Sequence, residues 1–159
     1  MPTQSVLRRA SLFVRDMERT LSFYGETFGL TPYVDRIIDL AILPDLPLGQ
    51  PGRGGSLRFV ILKGWDPLIG MIGFMEPRDP PLEDPHGPPT RLGFNQPALV
   101  LETRNIGHVA AAIPRLGGRV LMAPKAGRNL GDAAGNFIPA QVMFATDPDG
   151  HFLEVFEAL

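Results

Sequence analysis

The pattern of apolar and polar residues predicts a strand followed by a helix at the start of the chain. Residues Val6–Val14 alternate between the two classes, as the residues of a half-buried strand do. Asp16 is a suitable N-cap for the helix that follows, and Gly29 is a suitable C-terminal stop. The apolar residues of this helix recur at helical spacing: Met17, Leu21, Tyr24 and Phe28.

The remainder of the first half predicts three more strands, which gives residues 1–76 the order βαβββ. These strands are Thr31–Ile42, Leu57–Leu62 and Leu68–Met75, with a loop rich in Pro and Gly at 44–56. Six Pro residues follow between Glu76 and Thr90, so residues 77–93 are predicted to be a linker.

The second half, residues 94–159, repeats the same order of elements. Its predicted parts are a strand Pro97–Glu102, a helix Asn105–Leu116, a short strand Arg119–Met122, a Gly-rich loop Ala123–Asn136, and strands Phe137–Thr146 and His151–Phe156. Val14-Arg15-Asp16 lies 87 residues before Leu101-Glu102-Thr103, and Trp65-Asp66-Pro67 lies 81 residues before Thr146-Asp147-Pro148. Two such offsets in the same order indicate an internal duplication, and therefore an α+β protein of two tandem βαβββ modules.

Composition narrows the class of partner. The 159 residues are 44% hydrophobic and 20% charged, which is typical of a soluble domain. A net charge of −2 with no basic cluster gives no reason to expect nucleic acid as a partner. Cysteine is absent, which excludes disulfides and thiolate metal sites. No apolar run is long enough to span a membrane and no signal peptide is recognised, so we expect a cytoplasmic protein.

The last predicted strand carries the first candidate for function. A turn at Asp147–Gly150 precedes it, and alternation then places Phe152, Glu154 and Phe156 on one face. A carboxylate between two phenyl rings is costly to ionise without a partner, which would be a metal, a cation or a ligand. The alternative is a Glu at the rim of the sheet with its carboxylate in water.

Several short motifs together resemble the vicinal-oxygen-chelate superfamily, which includes glyoxalase I, the bleomycin and fosfomycin resistance proteins and the extradiol dioxygenases. They are Leu12-Phe-Val-Arg-Asp16, Ser22-Phe-Tyr24, Phe28-Gly-Leu30, and Asp147-Pro-Asp-Gly150 followed by Glu154. The resemblance implies two modules whose curved mixed sheets wrap a barrel-like cavity, in a protein that is often a homodimer. Because this fold supports many chemistries, the resemblance leaves the activity open.

The resemblance also implies four metal-ligand positions, one in the first and one in the last strand of each module. By alignment these positions are Arg9, Gly70, Gln96 and Glu154, with Gly70 placed to within about two residues. A divalent ion needs roughly three protein ligands and does not accept a guanidinium among them. We therefore expect no metal cofactor; if a divalent metal is bound after all, its ligands are Glu154 and Gln96.

The predicted site is a cavity for a small molecule. Arg9 would neutralise Glu154 directly or across the ligand, and Gln96 would complete the polar patch; the alternative is an Arg9 that extends from a sheet edge into water. The predicted ligand-binding residues are Arg9, Ser11, Phe13, Gln96, Phe152 and Glu154. Arg58 and Arg128 are further candidates to meet an anionic group, whereas His151 is expected to be structural.

The sequence is compatible with three functions. The first is metal-free binding or sequestration of a small, largely apolar molecule, as in the drug-resistance branch of the superfamily. The second is a metal-free enzyme in which Glu154 is the general base and Arg9 stabilises an oxyanion. The third is a metal-dependent lyase or dioxygenase related to lactoylglutathione lyase, with a ligand set that the alignment does not identify.

Overall fold

The strands and helices follow the predicted order. A computed structural model describes residues 7–42, 54–66, 69–79, 81, 87, 89, 93–94, 96–130 and 135–159. The elements are β1 (Ala10–Phe13), α1 (Met17–Phe28), β2 (Thr31–Asp39), a 3-10 turn (Leu40–Ile42), β3 (Ser56–Lys63), β4 (Ile72–Asp79), β5 (Ala98–Glu102), α2 (Ile106–Arg115), β6 (Arg119–Leu130), β7 (Phe137–Thr146) and β8 (Phe152–Ala158). The predicted α+β class with two βαβββ runs is therefore confirmed.

Each βαβββ run supplies one four-stranded mixed sheet. The orders are β1-β4-β3-β2 and β5-β8-β7-β6. In both sheets the first strand of the run lies parallel to the last, and the other pairs are antiparallel. The two orders are thus the same, as an internal duplication requires. Within the described residues, neither sheet closes on itself into a barrel.

The chain divides into two compact units that do not coincide with the sequence modules. One comprises residues 1–17 and 29–83, and the other residues 18–28 and 84–159, so almost all of α1 belongs with the second sheet. Two contacts join α1 to the second sheet. The Tyr24 hydroxyl donates to Asp147 at 3.0 Å, and the Phe23 ring lies so close to Gly118 that a Cβ there would be 2.8 Å from Phe23 Cε2. Most of the predicted linker lies outside the described residues, although its first three residues extend β4 to Asp79.

A carboxylate near the end of each parallel strand binds the start of a helix. Glu76 in β4 accepts a hydrogen bond from the Met17 backbone N–H at 2.9 Å, and Glu157 in β8 accepts one from the Ile106 N–H at 3.1 Å. The first turn of a helix has free N–H groups and a positive dipole end, so an anion is favourable there. The two glutamates are 81 residues apart, which repeats the offset found in the sequence.

The apolar core of each sheet comes from alternate strand residues. In the first unit Val60, Leu62 and Phe74 are fully or almost fully buried. In the second unit the buried residues of β7 and β8 are accompanied by those of α2: Met143, Ala145, Leu153, Val155, Val109 and Ile113. Because Glu157 contacts α2, the odd-numbered residues of β8 face the helices.

One predicted element was wrong. The sequence predicts a short strand ending at Met122 and a loop from Ala123, but β6 continues to Leu130 and pairs with β7 over its length. The register shifts between Val120 and Met122 and again between Met122 and Lys125. Pro124 lies within the second shift, where a residue that cannot donate to the ladder is tolerated, and the shifts also break the alternation by which a strand is recognised.

Other boundaries differ by a few residues. Strand β4 begins at Ile72 rather than Leu68, since Gly70 before it has a φ of 81°. Helix α1 ends as predicted at Phe28, and Gly29 follows with a φ of 69°. None of the helices in the described ranges has the length and apolar character needed to cross a membrane.

Candidate functional site

The face of the second sheet opposite the helices carries the predicted carboxylate. Since Glu157 faces α2, alternation along β8 places Phe152, Glu154 and Phe156 on the other face. Phe152 is buried, whereas Glu154 and Phe156 are half-buried. The arrangement of one carboxylate between two phenyl rings is that predicted from the sequence.

The neighbouring strands extend this face with apolar side chains. Val100 of β5 and Phe144 of β7 pair with Glu154 from either side. Val100 is 59% exposed and Phe144 is 37% exposed. We call these two residues together with Phe152 and Phe156 the apolar collar of Glu154. A collar that is partly exposed is available to a ligand in a way that a core cluster is not.

A side chain from β6 holds the carboxylate. The Asn129 amide Nδ2 donates a hydrogen bond to Glu154 Oε1 at 3.0 Å. Asn129 lies in the part of β6 that was predicted to be loop, and no sequence pattern identifies it as a site residue. A neutral amide donor orients a carboxylate without neutralising its charge. Within the described residues no hydrogen bond to Oε2 is formed.

The turn that leads into β8 is built around a buried carboxylate. Asp147 accepts hydrogen bonds from the Tyr24 hydroxyl at 3.0 Å, from His151 Nδ1 at 2.9 Å, and from the backbone N–H groups of Asp149 and His151 at 2.9 and 2.8 Å. Burial, followed by the negative charge of Asp147, raises the pKa of Tyr24 well above its ordinary value. This network fixes the start of β8 and gives His151 the structural role that was expected.

The predicted residues of the first sheet also share a face. Ser11 pairs with Gly73 and Phe13 pairs with Met75, so the odd residues of β1 lie over the odd residues of β4. The Arg9 guanidinium carbon lies 5.0 Å from the centre of the Phe59 ring. Arg9, Ser11 and Phe13 are therefore neighbours, and each is exposed.

The internal repeat identifies the counterparts of Glu154 and Arg9 within this chain, and they differ from two of the positions assigned from the alignment. Helices α1 and α2 start 89 residues apart, and the helix-binding glutamates lie 81 residues apart. With these offsets Ser11–Gly73 corresponds to Val100–Glu154, and both are paired in the parallel ladders. The counterpart of Glu154 is therefore Gly73 and not Gly70, which precedes β4.

By the same offset the counterpart of Arg9 is Ala98 and not Gln96. Gln96 precedes β5, and its Oε1 lies 3.6 Å from where a Cβ on Gly93 would be. That oxygen is buried with no hydrogen-bond partner among the described residues. Gln96 thus differs from Glu154, whose carboxylate has a partner.

The side chains at the four equivalent positions do not fit a divalent metal. They are those of Arg9, Gly73, Ala98 and Glu154, which supply a single carboxylate and one fixed positive charge. The carboxylate of Glu76 in β4 binds the start of α1, and its Oε2 lies 2.6 Å from Arg78 Nε. In the ranges that the structure describes, no group of three or more His, Asp or Glu residues could hold a metal ion.

Arg58 is engaged within the first sheet. It donates two hydrogen bonds to Asp35, at 3.0 and 2.8 Å, and these bonds lower the pKa of that carboxyl. The other candidate, Arg128, is exposed on β6.

Two mixed four-stranded sheets from a duplicated βαβββ unit define a protein of the glyoxalase type of fold. The sequence matches the glyoxalase/bleomycin resistance protein/dioxygenase superfamily over residues 6–155, and the chain belongs to this superfamily. No curated protein matches the chain.

Solved structures show the same fold at low identity. A glyoxalase family protein from Bacillus cereus is 15% identical with a TM-score of 0.71, and the match covers 100% of this chain and 99% of that one. A glyoxalase I mutant from Zea mays is 16% identical with a TM-score of 0.56 over 94% of this chain and 45% of that one. A virulence protein from Salmonella typhimurium is 17% identical with a TM-score of 0.52 over 99% and 100% of the two chains.

Proposed function

We propose that this protein binds a small, largely apolar molecule on the open face of its second sheet, without a metal ion. The observation that carries the proposal is the half-buried Glu154 carboxylate, which Asn129 orients within the apolar collar. The collar would bury the body of the ligand, and the carboxylate would accept a hydrogen bond from one of its N–H or O–H groups.

The collar supplies the affinity. Complete burial of a Val or Phe side chain is worth roughly 1.5–3 kcal/mol, and Val100 and Phe144 still expose 59% and 37% of their surface. A ligand that covers both would therefore gain roughly 1–3 kcal/mol from these two side chains alone. The affinity expected from so few contacts is modest, since association also costs translational and rotational freedom.

The carboxylate supplies the selectivity. Asn129 occupies one acceptor position of Oε1, and the remaining acceptor positions of an ionised carboxylate are suited to a ligand donor. A ligand without a donor would take solvent from the half-buried carboxylate and leave it only the Asn129 hydrogen bond, which costs about 1–3 kcal/mol. Apolar molecules with one N–H or O–H group are therefore preferred over plain hydrocarbons.

A titration with 2-naphthamide, which has an apolar body and an amide donor, tests the proposal. We expect NMR shift changes at the collar and at Glu154, in protein dialysed against EDTA. Glu154→Gln should weaken the binding about tenfold. Glu157→Gln is the matched control, because it removes a carboxylate from the opposite face of the same strand. Binding that survives Glu154→Gln unchanged would contradict the proposal.

A metal-free enzyme is the second candidate, and the orientation of Glu154 by Asn129 favours it. A general base must be held in a fixed position towards the proton that it removes, and the hydrogen bond from Asn129 gives the Glu154 carboxylate one orientation. The same variants separate the two functions: a binding protein loses affinity in Glu154→Gln with no turnover to lose, whereas an enzyme loses turnover while binding largely remains.

We also propose that the protein is a cytoplasmic homodimer. The absence of cysteine is compatible with a reducing compartment, and homodimers are expected from the resemblance of the sequence to its superfamily. Sedimentation equilibrium of the purified chain tests the second point, since a single species of 17.3 kDa would contradict a dimer.

A further inference from the structure

The first sheet carries a cationic group at the position where the second sheet has no charge. Arg9 extends over the face of β4 and β3, and its guanidinium carbon lies 5.0 Å from the centre of the Phe59 ring. At this distance the ring face attracts the cation and restricts its movement. The counterpart of Arg9 in the second module is Ala98, so only the first module has a cation at this position.

Gly73 makes this placement possible. A Cβ built on Gly73 would lie 2.6 Å from Ser11 Oγ, 3.2 Å from Phe59 Cε2 and 3.3 Å from Arg9 Cδ. The stem of Arg9, the Ser11 hydroxyl and the Phe59 ring thus meet over the one residue of β4 that has no side chain. Any larger residue at this position would displace at least one of them.

The donors gathered here have no acceptor among the described residues. Neither the Arg9 guanidinium nor the Ser11 hydroxyl forms a hydrogen bond or ion pair in the part of the chain that the structure describes. A guanidinium has donors in a planar fork that matches a carboxylate, and a hydroxyl beside it can donate to the same anion. Lysine would offer only a point charge.

Apolar side chains lie beside these donors. Phe59, Met75 and Phe13 pair in a row across β3, β4 and β1, one row from Ser11 and Gly73. Phe13 is 38% exposed and Phe59 and Met75 are half-buried. This row would contact the apolar body of a molecule whose anionic group is bound by Arg9.

We infer that this face of the first sheet is a binding subsite for the carboxylate of an apolar organic acid, with Arg9 and Ser11 as donors. The subsite goes beyond the proposed function, because it binds an anionic group and takes its apolar contacts from Phe59, Met75 and Phe13 rather than from the collar of Glu154. Its residues all belong to the first sheet, so it can be tested separately from Glu154.

Two probes of the same shape distinguish binding at Arg9 from binding at Glu154. 2-Naphthoate and 2-naphthamide have the same apolar body and shape, but only the first is an anion. Both are titrated by NMR into wild type, Arg9→Gln, Arg9→Lys and Glu154→Gln. We expect Arg9→Gln to weaken 2-naphthoate about tenfold and 2-naphthamide less than twofold. Arg9→Lys should recover only part of the loss, because the bidentate geometry is absent.

Gly73→Ala is a second variant: it keeps the Arg9 guanidinium, but the added Cβ would displace the side chain of Arg9 or Ser11. It should also weaken 2-naphthoate severalfold, whereas Gly127→Ala should not, because a Cβ there would meet Val142 at an ordinary 3.5 Å. If 2-naphthoate binds no better to wild type than to Arg9→Gln, the subsite is refuted, even where 2-naphthamide binds at Glu154. If neither probe binds to wild type, the proposed function fails as well.

Discussion

The replacement Tyr24→Phe tests whether the buried Asp147 network holds α1 against the second sheet. The change keeps the fully buried ring and removes only the hydroxyl that donates to Asp147 at 3.0 Å. A hydrogen bond to a charged group contributes about 1.5–3 kcal/mol, and the Asp147 carboxylate would retain three of the four donors described above. We expect the free energy of unfolding to fall by about this amount, which is roughly 3–12 °C in Tm.

The stabilisation by Tyr24 should depend on pH. The pKa of Tyr24 is raised in the folded protein, so the unfolded chain releases this proton first, near pH 10. The contribution of Tyr24 is therefore complete below pH 10 and is lost as the pH rises towards the folded pKa. Over that window stability should fall by about 1.4 kcal/mol per pH unit because of this one proton. The same series in Tyr24→Phe should lack this component.

Urea unfolding at pH 7 and at several values above pH 9 measures both effects. Tyr33→Phe is the matched control, because the Tyr33 side chain is 58% exposed and its loss should change stability by less than about 0.5 kcal/mol. A Tyr24→Phe protein with wild-type stability at pH 7, or with the wild-type slope above pH 10, would refute the role given to the Asp147 network.

Three further predictions concern single side chains. Glu157→Gln should lower the free energy of unfolding by about 1 kcal/mol in urea denaturation, because the start of α2 loses an anion, and an unchanged midpoint would contradict this. Asp35→Asn should lower the free energy of unfolding by less than about 1 kcal/mol, since the ion pair with Arg58 is partly exposed. Because the pKa of Asp35 is lowered in the folded protein, this stabilisation is present above pH 4 and is lost on acidification, and acid titration of wild type and variant checks it. Asn129→Ala should weaken 2-naphthamide severalfold in the NMR titration, and equal affinity would show that orientation of Glu154 is unimportant.

The elements with strong local signals were predictable from the sequence. Helix α1 has apolar residues at helical spacing between a suitable N-cap and Gly29, and the structure has it at Met17–Phe28. Strand β7 matches its predicted bounds, although it contains Pro139, because its apolar and aromatic residues continue up to the Asp147–Gly150 turn. The second part of β6 was missed, since its two register shifts and Pro124 remove the alternation that marks a strand.

Some features of the candidate site were predictable from local sequence patterns, and others were not. The face shared by Phe152, Glu154 and Phe156 follows from alternation along one strand, which is local information. The bond from Asn129 to Glu154 joins two strands that are not neighbours in the sheet, and no sequence pattern encodes it. The alignment assigned Gly70 and Gln96, whereas the helix starts, which are 89 residues apart, and the parallel ladders make Gly73 and Ala98 the counterparts of Glu154 and Arg9.

The most direct test of the central claim is an NMR titration of EDTA-dialysed protein with 2-naphthamide, repeated after addition of Ni²⁺, Mn²⁺, Fe²⁺ and Zn²⁺. We expect shift changes at Val100, Phe144 and Glu154 with the same Kd before and after metal, and binding about tenfold weaker in Glu154→Gln. Binding that requires a metal, together with stoichiometric metal retained by wild type but not by Glu154→Ala, would contradict it.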